Sequence, residues 1–299
     1  MQSPNGTRRS TVRLRDPHWY RQRVVHRLLR PVHRHLPDGG IDFMDQDWDN
    51  LLILDGCRAD LFRETVDPSP FDAYDDRTSV GSATPEWARK TFRGREFPDT
   101  VYVSGNPQIS RYGNDSFHRL YELWDTDFTE DHRTILPEAI TATTLDAHEK
   151  HPNKRLVAHF MQPHHPFIAT PDSPLNPTHN PDAPDPWIAL SRGEVERDTV
   201  WTEYSRNLNL VMNHVVRLLD ELNGKTVVTS DHGNLLGERL LPIPIRMYGH
   251  PREVRHRDLQ RIPWAVADGP RRDIHTETIS VNEADSQKIE ERLESLGYK

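Results

Sequence analysis

The chain has 299 residues, of which 34% are hydrophobic and 28% charged, with a formal net charge of -8. That length suits one large domain, or one domain with appendages, whose sizeable core sits under a very polar surface. A lone cysteine, Cys57, excludes an intramolecular disulfide, and no apolar run approaches the ~20 residues that a membrane-spanning helix needs.

Asp dominates the acidic side, and Arg far outnumbers Lys on the basic side. Such a surface suits a protein that stays soluble in high salt, a halophilic reading; a high-GC genome gives the same bias. The single cysteine fits a reducing cytoplasm. The start, MQSPNGTRRS, holds an Arg pair with no apolar stretch behind it, so no secretory signal is expected and a cytoplasmic location is.

Residues 1–40 read as a basic N-terminal arm, set apart from a main domain over 41–299. Within Tyr20–Arg34 the apolar residues cluster at helical spacing, which predicts a short amphipathic helix. It could pack on the body with a solvated Arg face. It could also lie peripherally on an anionic membrane surface or against a polyanionic substrate. A turn at Pro37-Asp38-Gly39-Gly40 closes the arm.

Leu51-Leu52-Ile53-Leu54 is a short unbroken apolar run, as in a strand buried on both faces of a parallel sheet. It stops at Asp55-Gly56, and a helix starts near Cys57–Phe62. Further strands are predicted over Thr100–Ser104, Arg155–Met161, Lys225–Ser230 and Ile262–Ala267. Between the third and fourth of these five strands, Glu196–Leu222 reads as a long amphipathic helix stopped by Gly224. Thr170–Pro186 has no periodicity and reads as a long loop or lid, and a short helix is expected near Glu283–Leu296. Strand, helix, strand in this order predicts an α/β fold, a mostly parallel central sheet with helices on both faces.

Open α/β sheets place ligands at the carboxyl ends of their strands. There the chain offers Asp55, Asp231 and His232, a mixed oxygen and nitrogen set that suits Mn²⁺, Zn²⁺ or Mg²⁺ better than Ca²⁺. Gly233 would let the backbone turn sharply behind the last two. Thr84-Pro85-Glu86 is a helix-start pattern with Thr84 as N-cap. A hydroxyl there is either a plain cap or a group that meets a tetrahedral anion at the helix start.

Leu51–Asp60 resembles the opening strand of the sulfatase branch of the alkaline phosphatase superfamily. Val157–Phe167, with Pro163-His164-His165-Pro166, resembles that branch's Pro-His-x-Pro strand end, and Thr229–Glu238 its Asp-His-Gly turn. Gly249-His250 and Arg261-Ile262-Pro263 follow in the family's order. The resemblance implies an alkaline phosphatase-like fold with one divalent metal on Asp55, Asp231, His232 and Thr84, and Thr84 as nucleophile. It implies that His164 and His250 touch the tetrahedral group or protonate the leaving oxygen. Asn106 takes the place of a sulfatase Lys and would donate to the anion, while Ser82 would compete with Thr84 or bind substrate.

Formylglycine is not expected, because Cys57 is misplaced and no Ser-x-Pro-x-Arg motif occurs. The pattern is closer to lipoteichoic-acid synthase-type phosphotransferases, which tilts the substrate from a sulfate ester to a phosphate ester, on a glycan or lipid head group. Arg89 lies one position off the family's anion-binding Arg. Asp60 reads as structural and His159 as a buried, hydrogen-bonded residue. The expected reaction is metal-dependent hydrolysis or transfer of such esters, with no nucleic acid as partner. The alternative is a catalytically silent protein that binds an anionic glycan or lipid.

Overall fold

A computed structural model describes residues 16–36, 39–276 and 286–295. Arg8, Arg9, Arg13 and Arg15 of the arm, Pro37-Asp38 of the turn and both ends of the expected tail helix lie outside the described residues. That helix is seen over Ser286–Ser295.

The strands are β1 (Asn50–Leu54), β2 (Ala73–Thr78), β3 (Phe97–Ser104), β4 (Phe117–Glu122), β5 (Phe128–Thr129), β6 (Thr134–Ile135), β7 (Arg155–Phe160), β8 (Thr226–Thr229), β9 (Leu235–Leu240), β10 (Ile245–Gly249) and β11 (Arg261–Ala267). Seven of them form one sheet in the order β2-β11-β8-β1-β7-β3-β4. Neighbours from β8 to β4 run parallel, and β11 is antiparallel to both β8 and β2. The predicted mostly parallel sheet is therefore present, with an antiparallel pair at one edge.

Strand side chains alternate between two cores, as the period-two geometry of a strand requires. Leu52, Leu54, Val101, Val103, Leu156, Ala158 and Phe160 face one core with Tyr204, Leu208, Val211 and Val215 of the Arg197–Glu221 helix. Leu51, Ile53, Tyr102 and Val157 face the other, with Trp87, Phe92 and Ile109 from the helices Thr84–Phe92 and Pro107–Gly113. Helices thus cover both faces, and the apolar runs of the central strands are continuous because neither face meets water.

The N-terminal segment is helical over Pro17–Val24, passes through a π segment at Val25–Leu29 and continues over Arg30–His33. Val25 and Leu29 are buried against Leu235, Leu240, Met247 and Val254, so the β9–β10 hairpin is its seat. His33 Nε2 lies 2.7 Å from the Leu241 carbonyl, and Arg255 N donates to His33 Nδ1 over 2.8 Å. Tyr20, Leu28, Val32 and Leu36 stay exposed. Among the described residues no helix is long and apolar enough to cross a membrane.

Candidate active site

Asp55 follows β1, and its N–H donates to Phe160 O of β7 over 3.1 Å. Asp231 and His232 follow β8, the strand on the other side of β1. Parallel pairing in register therefore delivers all three side chains to one point at the sheet's carboxyl edge. They are the group of this kind found among the described residues: their ligand atoms lie within 4.8 Å of one another and all three are buried.

The carboxylates are held from behind. Asp231 Oδ1 accepts from Gly56 N and His232 N, each at 2.9 Å, while Oδ2 is buried without a hydrogen-bond partner. Asp55 Oδ2 accepts from Asn106 Nδ2 at 2.6 Å. An orphaned carboxylate oxygen in a dry interior is costly unless a cation or proton meets it. The donor set of two carboxylates and an imidazole therefore fits a divalent ion.

Thr84 brings its hydroxyl to this group. Its Oγ1 lies 3.2 Å from His232 Nε2 and 3.5 Å from Asp55 Oδ2, and the residue is fully buried. Ala83 is the N-cap and Thr84 is the first helical residue, with Pro85 behind it. The expected N-cap role is thus corrected: no side-chain cap bond forms, and the hydroxyl faces the carboxylates. The positive end of the helix dipole still favours negative charge there.

Ser82, two residues earlier, points elsewhere. Its hydroxyl lies 2.8 Å from Glu86 Oε2 and 3.0 Å from Pro251 O, and it accepts from Val254 N. Glu86 Oε2 also accepts from Ser82 N and Glu253 N, and Oε1 from Lys90 Nζ at 2.7 Å. Burial would raise the Glu86 pKa, but the bonds and charge of Lys90 and the Ser82 hydroxyl hold it below the ordinary range. Ser82 and Glu86 together fix the turn that presents Thr84. Asn106 is also placed differently from expectation. Its Oδ1 caps the Pro107–Gly113 helix at Gln108 N, and its amide donates to Asp55, so it positions a carboxylate.

Three histidines share one arrangement. His232 Nδ1 lies 2.8 Å from Gly233 O, and His164 Nδ1 lies 2.6 Å from His165 O. A carbonyl only accepts, so each Nδ1 carries the proton. His250 Nδ1 lies 2.9 Å from Asn234 Oδ1, and the Asn234 amide is directed to Gly56 O and Tyr204 Oη. All three rings in their neutral form therefore present Nε2 as a lone pair, the arrangement of imidazoles that ligate cations or accept protons. Burial, with neighbouring histidines adding repulsion, drives the pKa of His164 and of His250 well below the usual range. The ring of His250 stands 4.8 Å from that of His232 and 4.9 Å from that of His164.

Two glycines are required here. Gly56 has φ +63°, and a Cβ on it would meet Asn234 Nδ2 at 2.9 Å and His164 Cδ2 at 3.2 Å. Gly233 is needed for close approach: its Cβ would stand 2.3 Å from Asp258 O. His159 is buried and bonded to Tyr102 Oη at 2.9 Å, with its pKa pushed down to about 4 chiefly by burial. Asp60 pairs with the buried Arg58, whose Nη1 also binds Asn234 O and Glu238. Sequence reading missed Asn234, Tyr204, Arg58 and the anchoring bonds of Glu86. Arg58 and Asn234 flank the ligand motifs, which was the available signal.

The buried group is bordered by a cavity of 340 Å³ whose walls include Ala83, Pro85 and His250. Arg89 is exposed and lines a neighbouring cavity.

No family model matches the chain, and no curated protein matches it. Solved structures do. The lipooligosaccharide phosphoethanolamine transferase EptA of Neisseria meningitidis is 13% identical, with a TM-score of 0.48, over 88% of this chain and 56% of that one. This chain thus spans little more than half the length of EptA. The periplasmic domain of EptC from Escherichia coli, in complex with Zn, is 12% identical with a TM-score of 0.46, over 78% of this chain and 77% of that one. A phosphonate monoester hydrolase from Silicibacter pomeroyi is 14% identical with a TM-score of 0.38, over 83% and 72%.

Proposed function

We propose that this chain is a metal-dependent hydrolase or transferase of phosphate esters that uses Thr84 as its nucleophile. The observation that carries the reading is a buried threonine hydroxyl, 3.2 Å from His232 Nε2 and 3.5 Å from Asp55 Oδ2, at the first turn of a helix.

Asp55, Asp231 and His232 would hold the cation, with Thr84 Oγ1 beside it. Bound there, a divalent ion supplies positive charge that lowers the hydroxyl's pKa and offsets the charge of the ester. Thr84 Oγ1 forms its bond to phosphorus as the bond to the leaving alcohol breaks. The proton lost by the threonine is balanced by the one that the departing alkoxide takes up. Water or an acceptor alcohol then attacks phosphorus and releases Thr84. His250, half-buried in the cavity wall with Nε2 as a lone pair, would take the proton of that second nucleophile, and that proton returns to Thr84 Oγ1 as its bond to phosphorus breaks. His164 lies further in, against His250 and Gly56, and would border the ester on the same side. The ester itself is taken to be a polar head group on a glycan or lipid.

The test is turnover of bis(4-nitrophenyl) phosphate with Mn²⁺. Thr84→Ala and Asp231→Ala should each lose at least about 10²–10³-fold in kcat, the scale on which a group at the reacting centre is worth. Full activity of a metal-stripped sample, or of Thr84→Ala, would overturn the assignment.

A further inference from the structure

The exposed apolar surface is concentrated in one place. Among the described residues, the large apolar side chains left exposed, Tyr74 and Val216 apart, lie on the N-terminal helical segment or at the tip of the β9–β10 hairpin. They are Tyr20, Leu28, Val32 and Leu36 on the segment, and Leu241 (69% exposed) and Ile243 at the tip. Single exposed apolar residues are ordinary, but a cluster on one part of a surface marks a place that meets something else. The spacing accounts for the cluster. Tyr20, Val24, Leu28 and Val32 recur every four residues and so share one flank of the helix. His18, Gln22, His26 and Arg30, offset by two, fall ~200° around the axis and line the cavity beside Ala83 and Pro85. Val25 and Leu29 seat the helix on the hairpin, and His33 meets the Leu241 carbonyl at 2.7 Å, which joins the helix end to the hairpin tip.

Charge agrees with this. Neither residues 17–36 nor residues 239–249 contain an Asp or Glu, in a chain whose net charge is -8. Arg23 and Arg27 are exposed on the helix, and Arg239 and Arg246 at the base of the hairpin. Arg23 lies over the Trp19 ring, 5.0 Å from its centroid. Nearby acids have other partners: Glu253 pairs with Arg30 and Arg34, and Asp16 with Arg192. The tip itself reads Leu241-Pro242-Ile243-Pro244. Its two prolines carry no backbone N–H, and Ile245 N already donates to Ile243 O at 2.6 Å, so little polar backbone would need desolvation there.

We propose that the N-terminal helix and the β9–β10 tip form one docking face for the surface of an anionic lipid bilayer. Leu28, Val32, Leu241 and Ile243 enter the boundary between head groups and acyl chains, and the arginines meet lipid phosphates. A purely polar polyanion would engage the arginines and have no use for the apolar side chains. A second copy of this chain would set one arginine-bearing face against another, at a cost in repulsion. The inference stands apart from the chemistry of Thr84.

The test is co-sedimentation of the full chain with vesicles of phosphatidylcholine alone, and of phosphatidylcholine with phosphatidylglycerol, at about 0.15 M salt. The anionic vesicles should bind about tenfold or more tighter than the neutral ones. Leu28→Asp and Leu241→Asp should each weaken that binding about tenfold, and Leu28→Gln and Leu241→Gln should weaken it without adding charge. Arg23→Gln combined with Arg27→Gln should weaken it on the same scale. Val216→Asp, on the Arg197–Glu221 helix, should leave it unchanged. All these positions are exposed, so melting temperatures should stay near the native value. Equal binding to both vesicle types, or binding to neither, overturns the proposal. Binding that the arginine substitutions abolish but both Leu→Gln substitutions leave intact also overturns it and makes the face a general polyanion site. So does a dimer in vesicle-free solution that Leu28→Gln dissociates, which assigns the face to a second copy.

Discussion

At the scale of single residues, the division of labour runs through carboxylate oxygens. Asp231 commits Oδ1 to two backbone amides and leaves Oδ2 for the site, while Asp55 Oδ2 is steered by Asn106. Asn106→Ala should therefore weaken metal binding about 10–100-fold, as loss of an outer-shell partner does, and Thr84 should remain in place. Isothermal titration with Mn²⁺ measures this, and unchanged affinity would show that Asp55 needs no support. Glu86 offers a second test, through pH. Its folded pKa is depressed, so its contribution is present above the unfolded value of about 4.3 and is lost as pH falls through the lower folded value. Glu86→Gln should cost about 1–3 kcal/mol at pH 7, and the gap to the native protein should shrink in acid. Urea unfolding at pH 7 and pH 3 checks it; a gap that persists at pH 3 would mean that the charge is irrelevant.

At the scale of elements, legibility followed burial. β1, β3, β7 and β8 were readable because a strand covered on both faces must be apolar throughout. β2, with the sequence AYDDRT, was not, because it is an exposed edge strand paired only to β11. β4 mixes His118, Arg119 and Glu122 with Phe117 and Leu120 at the opposite edge and hides for the same reason. β9 and β10 were absorbed into the reading of the Asp-His-Gly and Gly-His motifs. The candidate ligand residues could be found from strand ends and ordered motifs, whereas Asn234 and Tyr204 act through contacts distant in sequence, which spacing cannot reveal. The N-terminal helix was legible as a helix but not as a wall of the cavity. Leu29→Ala, a deletion in its buried seam, should cost about 2–5 kcal/mol, read by chemical unfolding. A cost within error of zero would mean that the helix does not dock in solution.

At the scale of the whole molecule, a metal that binds only the folded chain must stabilise it. At 100 times its dissociation constant the gain is about 2.7 kcal/mol. Mn²⁺ should raise the melting temperature of the native protein, a chelator should reverse the shift, and Asp231→Ala should abolish it; equal shifts in both proteins would place the ion elsewhere. The buried group and the cavity beside it have separate structural sources. Strand ends of one buried sheet carry Asp55, Asp231 and His232, while the cavity beside them is closed partly by a helix that belongs to neither the sheet nor its layers. On the proposed reading, substitutions on the cavity side of residues 17–33 would change which molecule is admitted and leave Asp55, Asp231 and His232 in place.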